Sequence, residues 1–545
     1  MLFSKASFVN QIQLLFKNLK MKIPLWLISG ILYGLSWPIF EGLNLSFLAW
    51  FAFVPLFIYI DKNQTEFFKS MLGCYAAMFI FGCFSAGWLF NFPQAKWQVA
   101  IIFFLEELWF FIPFLVFYPI QRKLGFDKSL WLFPFISMIW EWMYLSLEFT
   151  MGTHLSAYSQ SNNIWLIQFV DITGMWGISF WLLLFNVLIF KAYKAGNYQL
   201  KSSFFYKRIA IITLFMLGIP LLYSGFSYFK YKDSKTDAIQ VAIVPTNYSA
   251  RFLNNTNNSF RLVEETLHRT DAFFYNNPEK SKNIDLYIWP ETGLPFTMQQ
   301  SNLQKLLQEA VTDWKANLLT GVKGVSDSIN IDDKRNYVSG VLFSNSSNQL
   351  EYHHKTQLTP GQEAIPYHSF LHKIIPNFPI EENDIRYFKK GESSTPLLLK
   401  TKKNKEFNIG ISLCFEQWYP NHWAKLSKNG ANFYAHLAAE GWYGQVGFMT
   451  FMNNVTRMRS IENRKFTARA ANIGKSGSID LLGNIIKNSS KKRLQIITTT
   501  LKPNQIVTFY AKNPNWFPIW GLIVFTVFIL FQLYQNTFQK SLKVL

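Results

Sequence analysis

Charge is scarce in this chain. Only 16% of its 545 residues are Asp, Glu, Lys or Arg, against 50% hydrophobic and 18% aromatic. That balance excludes an ordinary soluble protein and points to a membrane protein with a soluble part. Acidic residues are the scarcer kind, 33 against 53 Lys and Arg, which leaves a net charge of +20. Nucleic acid is not the implied partner: no basic patch is interleaved with aromatics. The cations cluster instead in short loops between apolar runs, as membrane topology and an anionic lipid surface require. Cysteine is nearly absent, with Cys74, Cys83 and Cys414 alone. Three cysteines give no even-numbered disulfide framework. Cys74 and Cys83 share one apolar run and read as small apolar side chains. The first apolar run follows a basic start (Lys5, Lys17, Lys20, Lys22) but lacks a small-residue cleavage site, so it reads as an anchor and not a signal peptide. His353 and His354 stand in no metal-ligand spacing with other candidates, so no metal is expected, and no motif asks for a cofactor.

What the chain has in abundance is long apolar runs. A bilayer takes about 20 residues of helix. Such runs occur near 24–40, 45–60, 69–91, 97–120, 129–148, 164–190, 208–228 and 515–535. The first two are short and divided by Glu41 and Asn44, which leaves a hairpin or re-entrant arrangement open there. Lysines and arginines fall on alternate loops: Lys62 and Lys69, then Arg122, Lys123 and Lys128, then Lys191, Lys194, Lys201, Lys207 and Arg208. The loop 150–163 has none. By the positive-inside rule both termini are cytoplasmic and residues 229–514 lie on the far side, in a bacterium the periplasm. The expected division is a membrane domain at 1–228 with about seven spans, a soluble domain at 229–514, and a last span with a short tail at 515–545. Glu106, Glu107, Glu141 and Asp171 stand at membrane depth, where ionisable groups face a bundle interior or a cavity.

In the soluble region strand-like runs alternate with helical ones. Strands are predicted at IQVAIVP, DLYIWPE, NLLTGVKG, YVSGVLFS, FNIGISLC, ANFYAHLA, SGSIDLL and LQIITTT, and amphipathic helices at 256–276, 299–316 and 449–470. This is an α/β pattern with packed layers. FNIGISLCFEQWYP (407–420) is the most informative stretch, because a buried strand ends on Cys414 with Glu416 two residues on. A thiol at a strand end is well placed for a nucleophile, although a buried structural cysteine is the commoner fate. His422 and His436 follow it and offer a rival Cys–His dyad.

Two further segments weigh against the structural cysteine. IWPETGLP (288–295) puts Glu291 just past a strand, and YHHKTQLTPGQEAIP (352–366) carries Lys355 and Glu363. Glu, Lys and Cys in this order resemble the triad of the nitrilase, or carbon–nitrogen hydrolase, superfamily. Collinear segments extend the likeness to its membrane-embedded branch, the apolipoprotein N-acyltransferase family. These are YGLSWPIF (33–40), 157–186 with Gln160, Gln168, Asp171, Gly174, Gly177 and Asn186, and 457–480 with Arg459, Glu462, Arg464, Arg469, Asn472 and Gly474.

The resemblance implies a multi-span helical membrane domain joined to an α-β-β-α nitrilase-like periplasmic domain, in a monomer of the bacterial inner membrane. It implies acyl transfer from a membrane phospholipid, through a thioester, to the α-amine of a diacylglyceryl-cysteine on an apolipoprotein. By the same carry-over Cys414 is the nucleophile, Glu291 the general base and Lys355 the oxyanion partner, with Glu363 and Glu416 in support. Trp418, Trp442 and Tyr443 are candidates for substrate contact, as are Trp423, Phe448 and Phe451; core packing explains such aromatics equally well. The chain departs from the family pattern at Thr359, Gly361 and Gln362, at Phe415, at 439–443 and at Tyr144, which bears on substrate fit. The triad alone also allows a membrane-tethered amidase, or an N-acyltransferase with another acceptor. A non-catalytic lipid-binding protein is a third reading, which the complete triad disfavours.

Overall fold

The structure, a computed structural model, describes residues 23–91, 96–197, 203–232, 237–248, 259–291, 294, 301–325, 336–374, 388–441, 444, 446–489 and 494–544. The N-terminal part contains α1 (Leu25–Leu35), α2 (Val54–Lys62), α3 (Phe67–Ser85), α4 (Lys96–Leu124), α5 (Phe133–Tyr144), α6 (Met175–Asn197) and α7 (Ser203–Tyr231). Among the described residues, four helical stretches are long and apolar enough to cross a membrane: Phe67–Ser85, Val99–Leu124, Met175–Ala195 and Ala210–Tyr231. Leu25–Leu35 and Trp516–Gln532 are shorter apolar helices. The protein is a membrane protein. α7 shows its face to the outside through Leu214, Phe215, Leu222, Phe226 and Phe229, an apolar surface that lipid would cover.

Between α1 and α2 the backbone unwinds into a short 3-10 turn, Ser46–Trp50. Irregular backbone at membrane depth needs partners inside the protein. Asn186 supplies them: Phe53 N donates to its Oδ1 at 2.9 Å and its Nδ2 donates to Ala49 O at 2.9 Å. Gln160 Nε2 donates to Ser46 O at 2.9 Å. α1 packs tightly on α3 because Gly30 and Gly34 lack side chains. A Cβ at Gly30 would stand 2.6 Å from Ala77 O, and one at Gly34 would stand 2.3 Å from the Phe84 ring. The ionisable residues at membrane depth are buried and point inward. Glu141 accepts from Ser156 N at 2.8 Å and Ser179 Oγ at 2.5 Å. His154 lies 3.6 Å from Glu106 and 3.4 Å from Glu107.

The soluble part holds β1 (Ile239–Ile243), β2 (Leu286–Ile288), β3 (Asn317–Val325), β4 (Tyr337–Ser344), β5 (Ser347–His354), β6 (Leu397–Lys400), β7 (Glu406–Leu413), β8 (Phe433–Ala439), β9 (Thr467–Asn472), β10 (Gly477–Ile479), β11 (Ile485–Asn488) and β12 (Ile497–Leu501). They form two six-stranded sheets, ordered β12-β1-β2-β3-β4-β5 and β11-β10-β9-β8-β7-β6. The central pairs β1–β2, β2–β3, β7–β8 and β8–β9 are parallel. Such strands are covered on both faces. Ile239, Val241 and Ile243 pack toward Ile409, Ile411 and Leu413 between the sheets. Ala242 and Val244 face the opposite way, onto α8 (Ser259–Asn276) and α9 (Ser301–Trp314). α10 (Pro420–Lys428) and α11 (Val446–Asn463) are the helices of the second half. α12 (Trp516–Val544) returns to pack its Phe517, Phe525 and Phe528 on the membrane-domain core. The two sheets and their helices are the α-β-β-α sandwich of the nitrilase-like fold.

The helix predicted at 449–470 stops at Asn463. Arg464 takes φ 52 and the chain turns into β9. Its guanidinium explains the turn: Nε donates to Asp171 Oδ2 at 2.8 Å and Nη2 to Gln168 O at 2.7 Å. A tertiary partner has overridden helical periodicity. β5, β6, β9 and β11 were not among the predicted strands. Of these, β5 is largely polar and β11 (IIKN) is short, fully exposed and without alternation, so neither offered a periodic signal.

Candidate active site

β7 delivers Cys414 to the end of the second sheet, where the chain turns sharply. Cys414 has φ 42 and opens the 3-10 turn Cys414–Trp418. A non-glycine residue in this left-handed region carries strain of about 1–2 kcal/mol. The Glu416 side chain holds the turn against it. Its Oε2 accepts from Leu413 N at 2.8 Å, and its Oε1 accepts from Thr356 N at 2.6 Å and Thr356 Oγ1 at 2.8 Å. Glu416 is therefore a strut between the cysteine turn and the segment just past Lys355. Cys414 Sγ lies 4.0 Å from Ala439 O, at the end of β8.

Lys355 follows β5, with its N–H on Val338 O at 2.8 Å. Its ammonium is fully buried. Nζ donates to Glu291 Oε1 and to Glu363 Oε1, each at 2.9 Å. Glu363 is itself positioned by Thr359 N, which donates to its Oε2 at 2.8 Å. Glu291 sits beyond β2, where its backbone presses against β3. A Cβ on Gly321 would stand 2.2 Å from Glu291 O, so only glycine permits this approach.

The electrostatics follow from this packing. Burial pulls the Lys355 ammonium down, but Glu291, Glu363 and Cys414 outweigh it, and the group is held well above the ordinary lysine range. Burial pushes the Cys414 thiol up and Glu291 adds to this, while Lys355 opposes them; the net shift is upward. A resting thiol in this site is protonated and needs a base to react. Burial raises Glu363, but Lys355 and Lys323 reverse this, so its carboxyl lies below the usual range. Glu416 is held far below it: His422, His353 and the Leu413 N–H outweigh desolvation. Two carboxyl groups thus share one lysine beside the thiol.

The site brings together Glu291, Lys355, Glu363, Cys414 and Glu416. The histidines of the rival dyad bond elsewhere: His422 to Thr356 Oγ1 and Ile411 O, His436 to Ser412 Oγ. Trp418, Trp423, Phe448 and Phe451 are buried. Trp418 packs on Tyr158 and Phe451 at the membrane-domain boundary. Trp442 and Tyr443 lie outside the described residues. Sequence reasoning assigned no role to Thr356 or His353, which the fold places beside Glu416. A cavity of about 410 Å³ opens between the end of α5 and the turn that carries Glu363. Its lining includes Leu145, Leu147, Glu148, Pro360, Phe370 and Tyr419.

The two segments 157–186 and 457–480 interlock. Arg459 Nη2 donates to Tyr158 OH at 3.0 Å and its Nε to Gln417 O at 3.1 Å. Glu462 accepts from Met175 N at 3.0 Å and is ion-paired with Arg459. Tyr158 OH also donates to Trp418 O at 3.2 Å. The connection between α5 and α6 thus holds the backbone of the cysteine turn directly, through Tyr158.

Two family models match the chain in this order. Residues 29–188 match the apolipoprotein N-acyltransferase N-terminal domain, and residues 240–510 match the carbon-nitrogen hydrolase domain. The apolipoprotein N-acyltransferase of Chlorobaculum tepidum is 26% identical over 510 residues, covering 90% of this chain and 93% of that one. Apolipoprotein N-acyltransferase 1 of Treponema denticola is 24% identical, covering 94% and 96%. The apolipoprotein N-acyltransferase of Rickettsia prowazekii is 24% identical, covering 88% and 92%. With a buried Glu–Lys–Cys cluster beside the membrane domain, both domain models matched in order, and relatives similar over about nine-tenths of both chains, the chain belongs to the apolipoprotein N-acyltransferase family.

Proposed function

We propose that the protein moves an acyl chain from a membrane phospholipid to the α-amine of the diacylglyceryl-cysteine that begins an apolipoprotein. The observation that carries the proposal is the Lys355 ammonium clamped between Glu291 and Glu363 beside a protonated, buried Cys414 thiol. In the first step Glu291 takes the thiol proton while Sγ attacks the ester carbonyl. Lys355 stabilises the oxyanion that forms. The C–O bond breaks, Glu291 returns the proton to the leaving lysophospholipid alcohol, and a thioester remains on Cys414. In the second step the neutral amine attacks the thioester and Glu291 takes its proton. The C–S bond breaks, and the proton passes to the sulfur. Glu363 fixes Lys355, and Glu416 fixes the turn that presents the thiol.

Both substrates live in the bilayer, which gives the membrane helices their purpose. The cavity above Glu363, with Leu145, Leu147 and Phe370 at its wall, suits an acyl chain entering from the helices, and Trp418, Trp442 and Tyr443 remain the aromatic candidates for substrate contact. We place the domain boundaries at 228/229 and 514/515, the enzyme in a bacterial inner membrane as a monomer, and the catalytic domain in the periplasm. The basic loops support this orientation. Impermeant labelling of single cysteines at positions 201 and 345 tests it; labelling of both from one face would refute it.

Mass spectrometry tests the chemistry. Protein incubated with phospholipid alone is expected to carry an acyl adduct on Cys414 that neutral hydroxylamine removes and apolipoprotein discharges. The adduct should be absent in Cys414→Ala. Acyl transfer surviving in that variant ends the mechanism. An adduct that water discharges as fast as it forms favours a membrane-tethered hydrolase.

A further inference from the structure

His353, Glu416 and His422 reach one point behind the cysteine turn from three elements. His353 lies in β5 two residues before Lys355, Glu416 lies two residues after Cys414, and His422 is in the first turn of α10. All three side chains are at most 1% exposed. One donor atom from each lies within 4.8 Å of the other two. His422 Nε2 is 3.3 Å and His353 Nε2 is 3.9 Å from Glu416 Oε2. Donors of a tetrahedral ion bound at about 2.1 Å stand about 3.4 Å apart, so the site is close to assembled.

Two independent observations say that something is missing from it. Both ring nitrogens of His353 lack a hydrogen-bond partner, although the residue is buried. Orphaned buried groups of this kind are rare. The second observation is a count of hydrogens. Thr356 Oγ1 stands 2.8 Å from Glu416 Oε1 and 3.0 Å from His422 Nδ1. If the single hydroxyl hydrogen goes to the carboxylate, Nδ1 must carry the imidazole hydrogen and donate to Thr356. A neutral ring then leaves Nε2 bare, facing Ile411 O at 3.1 Å and Glu416 Oε2 at 3.3 Å, two oxygens that only accept. If Nε2 carries the hydrogen instead, Thr356 cannot serve both its neighbours. Ser394 Oγ, at 3.4 Å from Nδ1, is too long to replace it well. With both histidines neutral one of these close contacts has no hydrogen in it, a gap that a cation at the centre of the cluster would fill.

We propose that a divalent ion of the zinc class fills it, bound by His353 Nε2, Glu416 Oε2 and His422 Nε2. The chain from His422 Nδ1–H through the Thr356 hydroxyl to Glu416 Oε1 is then the outer hydrogen-bonded shell that orients the ligands. Two imidazoles and a carboxylate are a donor set that suits zinc. The ion's role is structural. It fastens the strand end that carries Lys355 to the turn that carries Cys414.

The test uses the full chain in detergent with Cys414→Ala, which removes the one thiol near the site. After zinc loading and a wash with a weak chelator, elemental analysis is expected to find about one ion per chain. His353→Gln and His422→Gln in that background should each lose it. Cobalt substitution should give the visible absorption of a tetrahedral nitrogen- and oxygen-ligated ion, with no thiolate charge-transfer band. Stripping the wild type with a strong chelator should lower its melting temperature, and zinc should restore it. Equal zinc in Cys414→Ala with and without His353→Gln would overturn the proposal. So would a loaded protein that retains no zinc and shows no such cobalt spectrum, a measurement that does not depend on either histidine variant folding.

Discussion

Replacing Lys355 by methionine keeps most of the side-chain volume and removes one buried charge. In the wild type Nζ sits 2.9 Å from both Glu291 and Glu363. Without it two carboxylates face each other with no cation between them. Removing one partner of a buried pair costs about 3–5 kcal/mol, and loss of one oxyanion partner costs about 3 kcal/mol of barrier, or roughly a hundredfold in rate. Protonation of one carboxylate limits the first cost and gives the variant a signature. In the wild type Glu363 is depressed below its unfolded value. Its contribution to stability is present above the unfolded value and is lost as pH falls through the folded one. In Lys355→Met the pair is raised instead, so the folded state binds the extra proton and stability increases as pH falls toward the ordinary carboxylate range. The assays are single-turnover thioester formation followed by intact mass, and melting temperature against pH. Lys355→Arg should also be slow, because a planar guanidinium does not replace a compact ammonium. Thioester formation in Lys355→Met at the wild-type rate, or a melting temperature that falls with pH as in the wild type, would refute the reasoning.

Cys414→Gly should be inactive yet at least as stable as Cys414→Ala, by about 1 kcal/mol, since glycine accepts φ 42 without strain; chemical denaturation of the two variants checks this. Asp171→Asn strips the buried Arg464 guanidinium of its carboxylate and should cost about 3–5 kcal/mol, read as a lower melting temperature and faster proteolysis between the domains. Lys465 is buried with its Nζ on Asn504 O at 2.8 Å, and burial lowers it from 10.5 to about 7. Between those values the unfolded chain binds a proton that the folded state lacks, so stability should rise with pH; Lys465→Met should flatten that slope in thermal melts taken at both ends of the interval. Acyl transfer from a preformed thioester should speed up as pH rises toward the amine's value of roughly 8, and a pH-independent discharge would count against attack by the free amine.

The membrane runs were legible in the chain because a bilayer demands a length of apolar helix that nothing else in the sequence imitates. The strand ending at Cys414 was legible for a similar local reason: FNIGISLC alternates and then stops. Glu291, Lys355 and Cys414 could be named because Glu, Lys and Cys in that order resemble the triad of the carbon–nitrogen hydrolase superfamily, with Glu291 and Cys414 each just past a readable strand. Their arrangement could not, since Lys355 and Glu291 are 64 positions apart and Glu416 and Thr356 are 60 apart. No periodicity reports on a hydrogen bond across two sheets. The helix at 449–470 was read too long for the same reason: its amphipathic pattern runs on, while Asp171 and Gln168, 293 and 296 positions away, hold Arg464 where the chain turns. His353 had no partner at a metal-ligand spacing along the chain, and only the fold closed it onto Glu416 and His422. Local sequence determined which elements form, because helix and strand are built from neighbours. Tertiary structure alone decided which buried charges meet, because a charge taken out of water is stable only where the rest of the chain brings it a partner.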